Sequence, residues 1–138
     1  MFENCKLKPG EIYRIHPPGS PEPHDYIVLS EPDMVDCRCI MVNFSDASKF
    51  PKKGRKEYDQ KDAISVNGDF TLSKKSVLRY DWAEFECHKW VARNNGKGPL
   101  GICTTTFLRA IQKEFYAFRE DLKPVVRKRL NSHHSNWK

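Results

Sequence analysis

The apolar residues of this chain change their spacing once, near residue 104, and that change restricts the architectures open to it. Before it, apolar residues come in short runs of strand length, separated by turn residues. After it, Phe107, Leu108, Ile111, Phe115, Phe118 and Leu122 recur at spacings of three and four. That period predicts an amphipathic helix over 106–123, with Thr104, Thr105 or Thr106 supplying the N-cap oxygen and Pro124 ending or kinking it. A single apolar stripe must be buried against something, and only short strands are on offer. The fold expected is mainly β with a C-terminal helix, a small and strongly bent antiparallel barrel of six or seven short strands closed by the helix.

The strands can be placed one by one. Residues 11–16 follow the turn Lys8-Pro9-Gly10 and read as the first. Residues 17–23 hold four prolines and a glycine, which neither a helix nor a central strand tolerates, so they form an exposed loop. Residues 25–30 carry Tyr26-Ile27-Val28-Leu29 and read as the second strand. Residues 37–44 are the most apolar segment and read as a central strand covered on both faces. Residues 46–62 then hold six Lys or Arg and four Asp or Glu without either period, a long basic loop. Residues 63–66 and 69–72 flank Asn67-Gly68, a hairpin dipeptide. Residues 76–82 alternate as a half-buried strand, and 84–91 are read as continuing the sheet. One domain is expected over 1–138: barrel about 8–92, linker 93–101, helical part 104–130, and a frayed polar tail 131–138.

The 138 residues suit a single domain that buries a core without help from metal or disulfides. No apolar run approaches the roughly 20 residues of a membrane span, and the first ten residues lack the apolar stretch of a secretory signal. The five cysteines, an odd number and widely spread, read as reduced thiols of a cytoplasmic protein. A formal charge of +6 and a pI near 9.1 favour an anionic partner, of which nucleic acid is the commonest.

Three constellations bear on chemistry. Cys37-x-Cys39 with Cys87-His88 has the atoms for zinc, but the spacing is wrong for a structural site and Cys87 and His88 would face opposite sides of a strand. No metal and no cofactor are therefore expected. No nucleophile elbow supports a cysteine–histidine hydrolase, and no phosphate loop, dinucleotide fingerprint or His-Glu-x-x-His motif is present. The third set is His24, Asp25 and Ser45 with the basic run Lys49, Lys52, Lys53, Arg55 and Lys56. His24 stands where the proline-rich loop enters the second strand, and Ser45 where the central strand leaves for the basic loop. Neighbouring strands would bring both to one rim. Metal-free RNA cleavage needs a base for the 2′-hydroxyl, an acid for the leaving oxygen and cations for the phosphorane, and imidazole can serve as either acid or base.

The order of segments, PGEIYRI, a proline-rich loop, HDYIVLSEPD and then CIMVNFSD, resembles the growth-inhibitor toxins PemK, Kid and MazF over residues 8–46. In that family Gly10-Glu11 match the opening Gly-Asp, Leu29-Ser30 the end of the second strand, and Ser45 the catalytic Thr or Ser. The resemblance implies an SH3-like barrel, commonly dimeric, that cleaves single-stranded RNA without metal and is restrained by a cognate antitoxin protein. Where the toxins place Arg-Pro, this chain has His24-Asp25. The expectation is a toxin-like endoribonuclease in which His24 and Ser45 are catalytic. Asp25, Lys49, Lys52, Lys53, Arg55 and Lys56 would hold the RNA, with Lys53 or Arg55 supplying the missing charge. The alternative is a non-catalytic module on the same barrel, binding nucleic acid or an acidic protein.

Overall fold

The computed structural model describes residues 5–46, 57–58, 64–66 and 76–138. Within them lie strands β1 (Glu11–Ile15), β2 (His24–Val28), β3 (Cys39–Asp46), β4 (Glu57–Tyr58), β5 (Ile64–Val66), β6 (Ser76–Leu78), β7 (Glu84–Glu86) and β8 (Lys97–Cys103). Helices α1 (His88–Arg93), α2 (Thr105–Ala117) and α3 (Pro124–His133) complete these elements, with short 3-10 turns before β7, between α2 and α3, and after α3. Neighbouring strands pair antiparallel in the order β4-β6-β3-β2-β1-β8-β5, and β7 pairs with β3 as well. The fold is thus mixed α/β on an open antiparallel sheet. Among the described residues no strand pairing joins its two ends, so the closed barrel expected from the sequence is not seen.

β3 organises the sheet, as its largely apolar run suggests. One edge pairs with β2, while the other serves β7 through Cys39–Met41 and then β6 through Phe44–Asp46. Its alternate residues feed two cores. Ile40, Val42 and Phe44 join Ile12, Ile27, Leu29 and Leu78 beneath α2, whose stripe of Phe107, Ile111 and Phe115 closes that layer. Cys39 and Met41 join Leu7, Tyr13, Ile15, Tyr26 and Val28 on the opposite face, covered by Trp90 and Val91 of α1. Full burial of each such side chain contributes about 1.5–3 kcal/mol, so covering both faces of β3 is what holds it central.

Several elements depart from the sequence expectation. Residues 84–91 do not continue as strand: β7 stops at Glu86 and α1 begins at His88. Trp90 and Val91 both enter the second core, and adjacent residues cannot share one face of a strand. The expected linker 93–101 contains most of β8, which pairs with both β1 and β5. Its glycines and proline hide it from pattern reading, yet they permit it. Gly98 has φ +147°, and a Cβ there would stand 2.8 Å from the Tyr13 ring and 2.9 Å from the Ile12 carbonyl oxygen. β5 falls in the 63–66 run and pairs with β8, while the Asn67-Gly68 hairpin and 69–72 lie outside the described residues.

Thr104 caps α2 as the sequence suggests, its Oγ1 accepting from the Phe107 amide at 3.1 Å. The helix ends at Ala117, earlier than the period implies, and Pro124 opens α3 at its first turn, where its missing N–H costs nothing. The expected frayed tail is packed: α3 runs to His133 and a 3-10 turn follows over Ser135–Trp137. Trp137 is only 9% exposed and meets Phe115 edge-on at 6.3 Å between ring centroids.

The cysteine expectation is also overturned. Cys5 and Cys37 form a disulfide, leaving Cys39, Cys87 and Cys103 free. A disulfide is at home in an oxidising compartment, so the cysteines no longer argue for the cytoplasm. With Cys37 so engaged, the Cys37, Cys39, Cys87 and His88 set is broken up. Among the described residues no three His, Cys, Asp or Glu are grouped to hold a metal ion, and no helix is long and apolar enough to cross a membrane.

Candidate functional site

Strand register decides which of the candidate residues meet. Tyr26 stands opposite Asn43 across β2 and β3, where that pairing ends; His24, at the start of β2, pairs with Ile15 of β1, and Ser45 pairs with Val77 of β6. On the far edge of β3, Phe44 faces Leu78, which sets Asn43 beside Arg79, whose amide donates to the Asn43 carbonyl at 3.1 Å. By the two-residue repeat, His24 and Tyr26 of β2, Asn43 and Ser45 of β3, and Arg79 share the sheet face opposite α2.

These positions do not form an open rim. Asn43 is 1% exposed and Ser45 is 6% exposed. Asn43 Nδ2 donates to Ser45 Oγ at 2.9 Å, so that hydroxyl is held from within the sheet. Asn43 Oδ1 is buried with no hydrogen-bond partner among the described residues. Arg79, 1% exposed, makes a two-pronged contact with Asp81 at 2.9 and 2.8 Å and stacks 3.6 Å above the centre of the half-exposed Trp82 ring. A planar guanidinium with a bidentate carboxylate is the pairing that best tolerates such burial.

His24 lies half-buried at the start of β2. The Ser20 hydroxyl donates its proton to the Glu22 carbonyl at 2.8 Å, so at 3.0 Å it can only accept from the imidazole. That assigns the proton to Nε2 and leaves Nδ1 as an acceptor. Burial lowers the His24 pKa, outweighing Glu22 and Asp25, which raise it, so the ring is neutral near pH 7. Asp25, the next residue, faces the other side of the sheet, where its carboxylate takes both prongs of Arg14 at 2.9 and 3.4 Å. Asp25 is thus parted from His24. Lys49, Lys52, Lys53, Arg55 and Lys56 lie outside the described residues.

The structure also brings forward groups that sequence reasoning missed. Asn43 was hidden in an apolar run, where a single polar residue signals a buried hydrogen-bonding role. Arg79 lies in the run 76–82 that reads as a half-buried strand, but β6 stops at Leu78, residues 80–82 form a 3-10 turn, and Arg79 is buried between them. The larger omission is the distribution of charge. Residues 88–138 carry eleven Lys or Arg against three Asp or Glu, a net of +8, so the preceding 87 residues net −2 within the chain's +6. Some of these cations are engaged: Lys123 with Glu84, Arg127 with Glu120, and Arg129 over the Phe85 ring. Arg109 and Lys113, one turn apart on α2, and Lys128 on α3 are exposed and make no ion pair among the described residues.

A cleft of about 390 Å³ opens between α2, the C-terminal 3-10 turn and the loop after β2. Arg109, Gln112, His133, His134 and Trp137 are among the residues lining it, with Ser30 and Glu31 from the loop. Compared with known proteins, the chain matches no family model, no curated protein and no solved structure.

Proposed function

We propose that this chain binds single-stranded RNA, on a strongly bent sheet of SH3-like type, through the basic surface of its C-terminal helices. The observation that carries the reading is the segregation of charge: +8 in the last 51 residues, with Arg109, Lys113 and Lys128 exposed and unpaired among the described residues. Cations free of internal partners give up little on meeting phosphate and release counterions when they do. The test is fluorescence anisotropy with a labelled RNA oligomer across a salt series. The logarithm of affinity should fall with the logarithm of salt at about −0.7 per phosphate neutralised, and the triple variant Arg109→Glu, Lys113→Glu, Lys128→Glu should flatten that slope. An affinity indifferent to salt excludes the proposal.

A second reading, the toxin-like endoribonuclease, is favoured by one observation: a neutral imidazole, His24, and the hydroxyl residue Ser45 stand on the same face of the adjacent strands β2 and β3. It ranks below binding because Ser45 is buried and its hydroxyl is held by Asn43. On that reading a cognate antitoxin, a homodimer and a cytoplasmic setting would go with the activity. RNA kept intact by the wild-type protein in EDTA for hours, with binding unimpaired, eliminates it. Cleavage abolished by His24→Ala restores it.

A further inference from the structure

The three tryptophans of the chain are placed unequally. Trp90 and Trp137 are buried, at 8% and 9% exposure, whereas Trp82 is 40% exposed. Its ring is nonetheless held. The Arg79 guanidinium lies 3.6 Å from the ring centre, and Arg79 is itself 1% exposed and gripped by both carboxylate oxygens of Asp81. Cation and carboxylate cancel in charge, so the indole rests on a fixed backing that is neutral as a whole. Covering that guanidinium takes one face of the indole. What water reaches is the remainder of a large, flat side chain with little rotamer freedom left to lose on binding.

Its neighbours in the chain tie this ring to the basic part of the molecule. Two residues earlier, the Tyr80 hydroxyl donates to Glu114 of α2 at 2.8 Å, and the Tyr80 ring meets Phe115 edge-on at 5.3 Å. Two residues later, Glu84 accepts from Lys123, which stands just ahead of α3. Two residues span at most about 7 Å, so the Trp82 backbone lies within that reach of both anchoring residues. Lys113, exposed, directly precedes Glu114. A phosphate backbone drawn to these helices therefore passes close to an aromatic ring that is set in place and partly open to water. We propose that Trp82 is a stacking platform for one base of the RNA strand whose phosphates the basic helices hold. Every base has a π face, so the platform adds affinity without reading sequence, and its contribution is separate from counterion release. The proposal deepens the RNA-binding reading and rests on it.

The experiment follows the tryptophan emission of the full chain during titration with an adenine oligoribonucleotide and, separately, with inorganic polyphosphate, beside the anisotropy measurement. Acrylamide reaches Trp82 and spares the two buried indoles, which isolates the signal. RNA should quench the acrylamide-accessible emission saturably and shield it from acrylamide. Polyphosphate, which carries charge but no bases, should leave it unchanged. Trp82→Leu, which keeps an apolar cover over Arg79, should weaken RNA about tenfold at every salt concentration with the salt slope unaltered. Trp82→Phe should recover most of that loss. Should the leucine variant fail to fold, the two wild-type titrations decide by themselves. Equal quenching by polyphosphate overturns the platform, as does a leucine variant that binds like the wild type or loses affinity only with a flattened slope. RNA that binds by anisotropy while the Trp82 emission stays silent sinks the platform and spares the parent reading. Absence of RNA binding in the same anisotropy assay sinks the parent reading itself.

Discussion

Acidifying the protein from about pH 7 to about pH 4.5 should expose the packing of its C-terminal turn through one residue, His134. Burial, reinforced by the positive charges of Arg129 and His133, lowers its pKa from 6.5 to about 4. Between those two values the unfolded chain binds a proton that the folded chain refuses. The stabilising contribution of the neutral ring is therefore complete above about pH 6.5 and is lost as pH falls toward about 4, with no further loss below. A gap of about 2.5 in pKa, at about 1.36 kcal/mol each, caps the effect at about 3.4 kcal/mol. The ring is only partly buried and solvent screens it, so about 1–2 kcal/mol is the realistic size. Urea unfolding of the wild type and of His134→Phe at a series of pH values isolates it, because all other titrating groups cancel in the difference. The wild type should lose about 1–2 kcal/mol relative to the variant across this window. A flat difference, or a His134 ring that titrates near its ordinary value by NMR, would refute the packing of this turn against α2.

Trp137→Ala should cost about 3 kcal/mol and lower the melting temperature by several degrees; a change below about 0.5 kcal/mol would mean that the last residues are frayed after all. Gly98→Ala must fit a Cβ 2.8 Å from the Tyr13 ring at a φ of +147°, and should destabilise by about 1–3 kcal/mol in the same unfolding assay. Asp81→Ala takes the two-pronged carboxylate from the nearly buried Arg79, and should cost about 2 kcal/mol, more than an exposed ion pair is worth. Alkylation of the denatured, unreduced protein should label three cysteines, read by mass spectrometry. Reduction should then cost about 3–4 kcal/mol on the chain-entropy account, given the separation of 32 residues between Cys5 and Cys37.

Local signals carried much of the fold. The apolar run around Ile40 and Val42 announces a central strand because burial on both faces writes every position apolar. The stripe Phe107, Ile111, Phe115 announces α2, and Thr104 its start, because capping and periodicity are properties of a few consecutive residues. By contrast, 88–93 carries too few residues to separate a short helix from a strand. The β8 segment has glycine and proline where a strand signal would stand. The candidate site was legible only in part: His24 and Ser45 declare themselves by type and position, whereas their sharing one sheet face depends on the pairing of β2 with β3. That Ser45 is covered, that Asp25 turns to Arg14, and that Asn43 and Arg79 share its side of the sheet are consequences of pairing.

Amino-acid order alone thus determined the antiparallel strands around β3, the helix that follows them and the positive charge of the whole. Tertiary structure decided that β8 is a strand, because its hydrogen bonds are made to β1, more than eighty residues earlier. It likewise decided that Trp137 is core and that Cys5 finds Cys37. Each depends on which distant segment lies alongside, and the residues near in sequence hold no record of that neighbour.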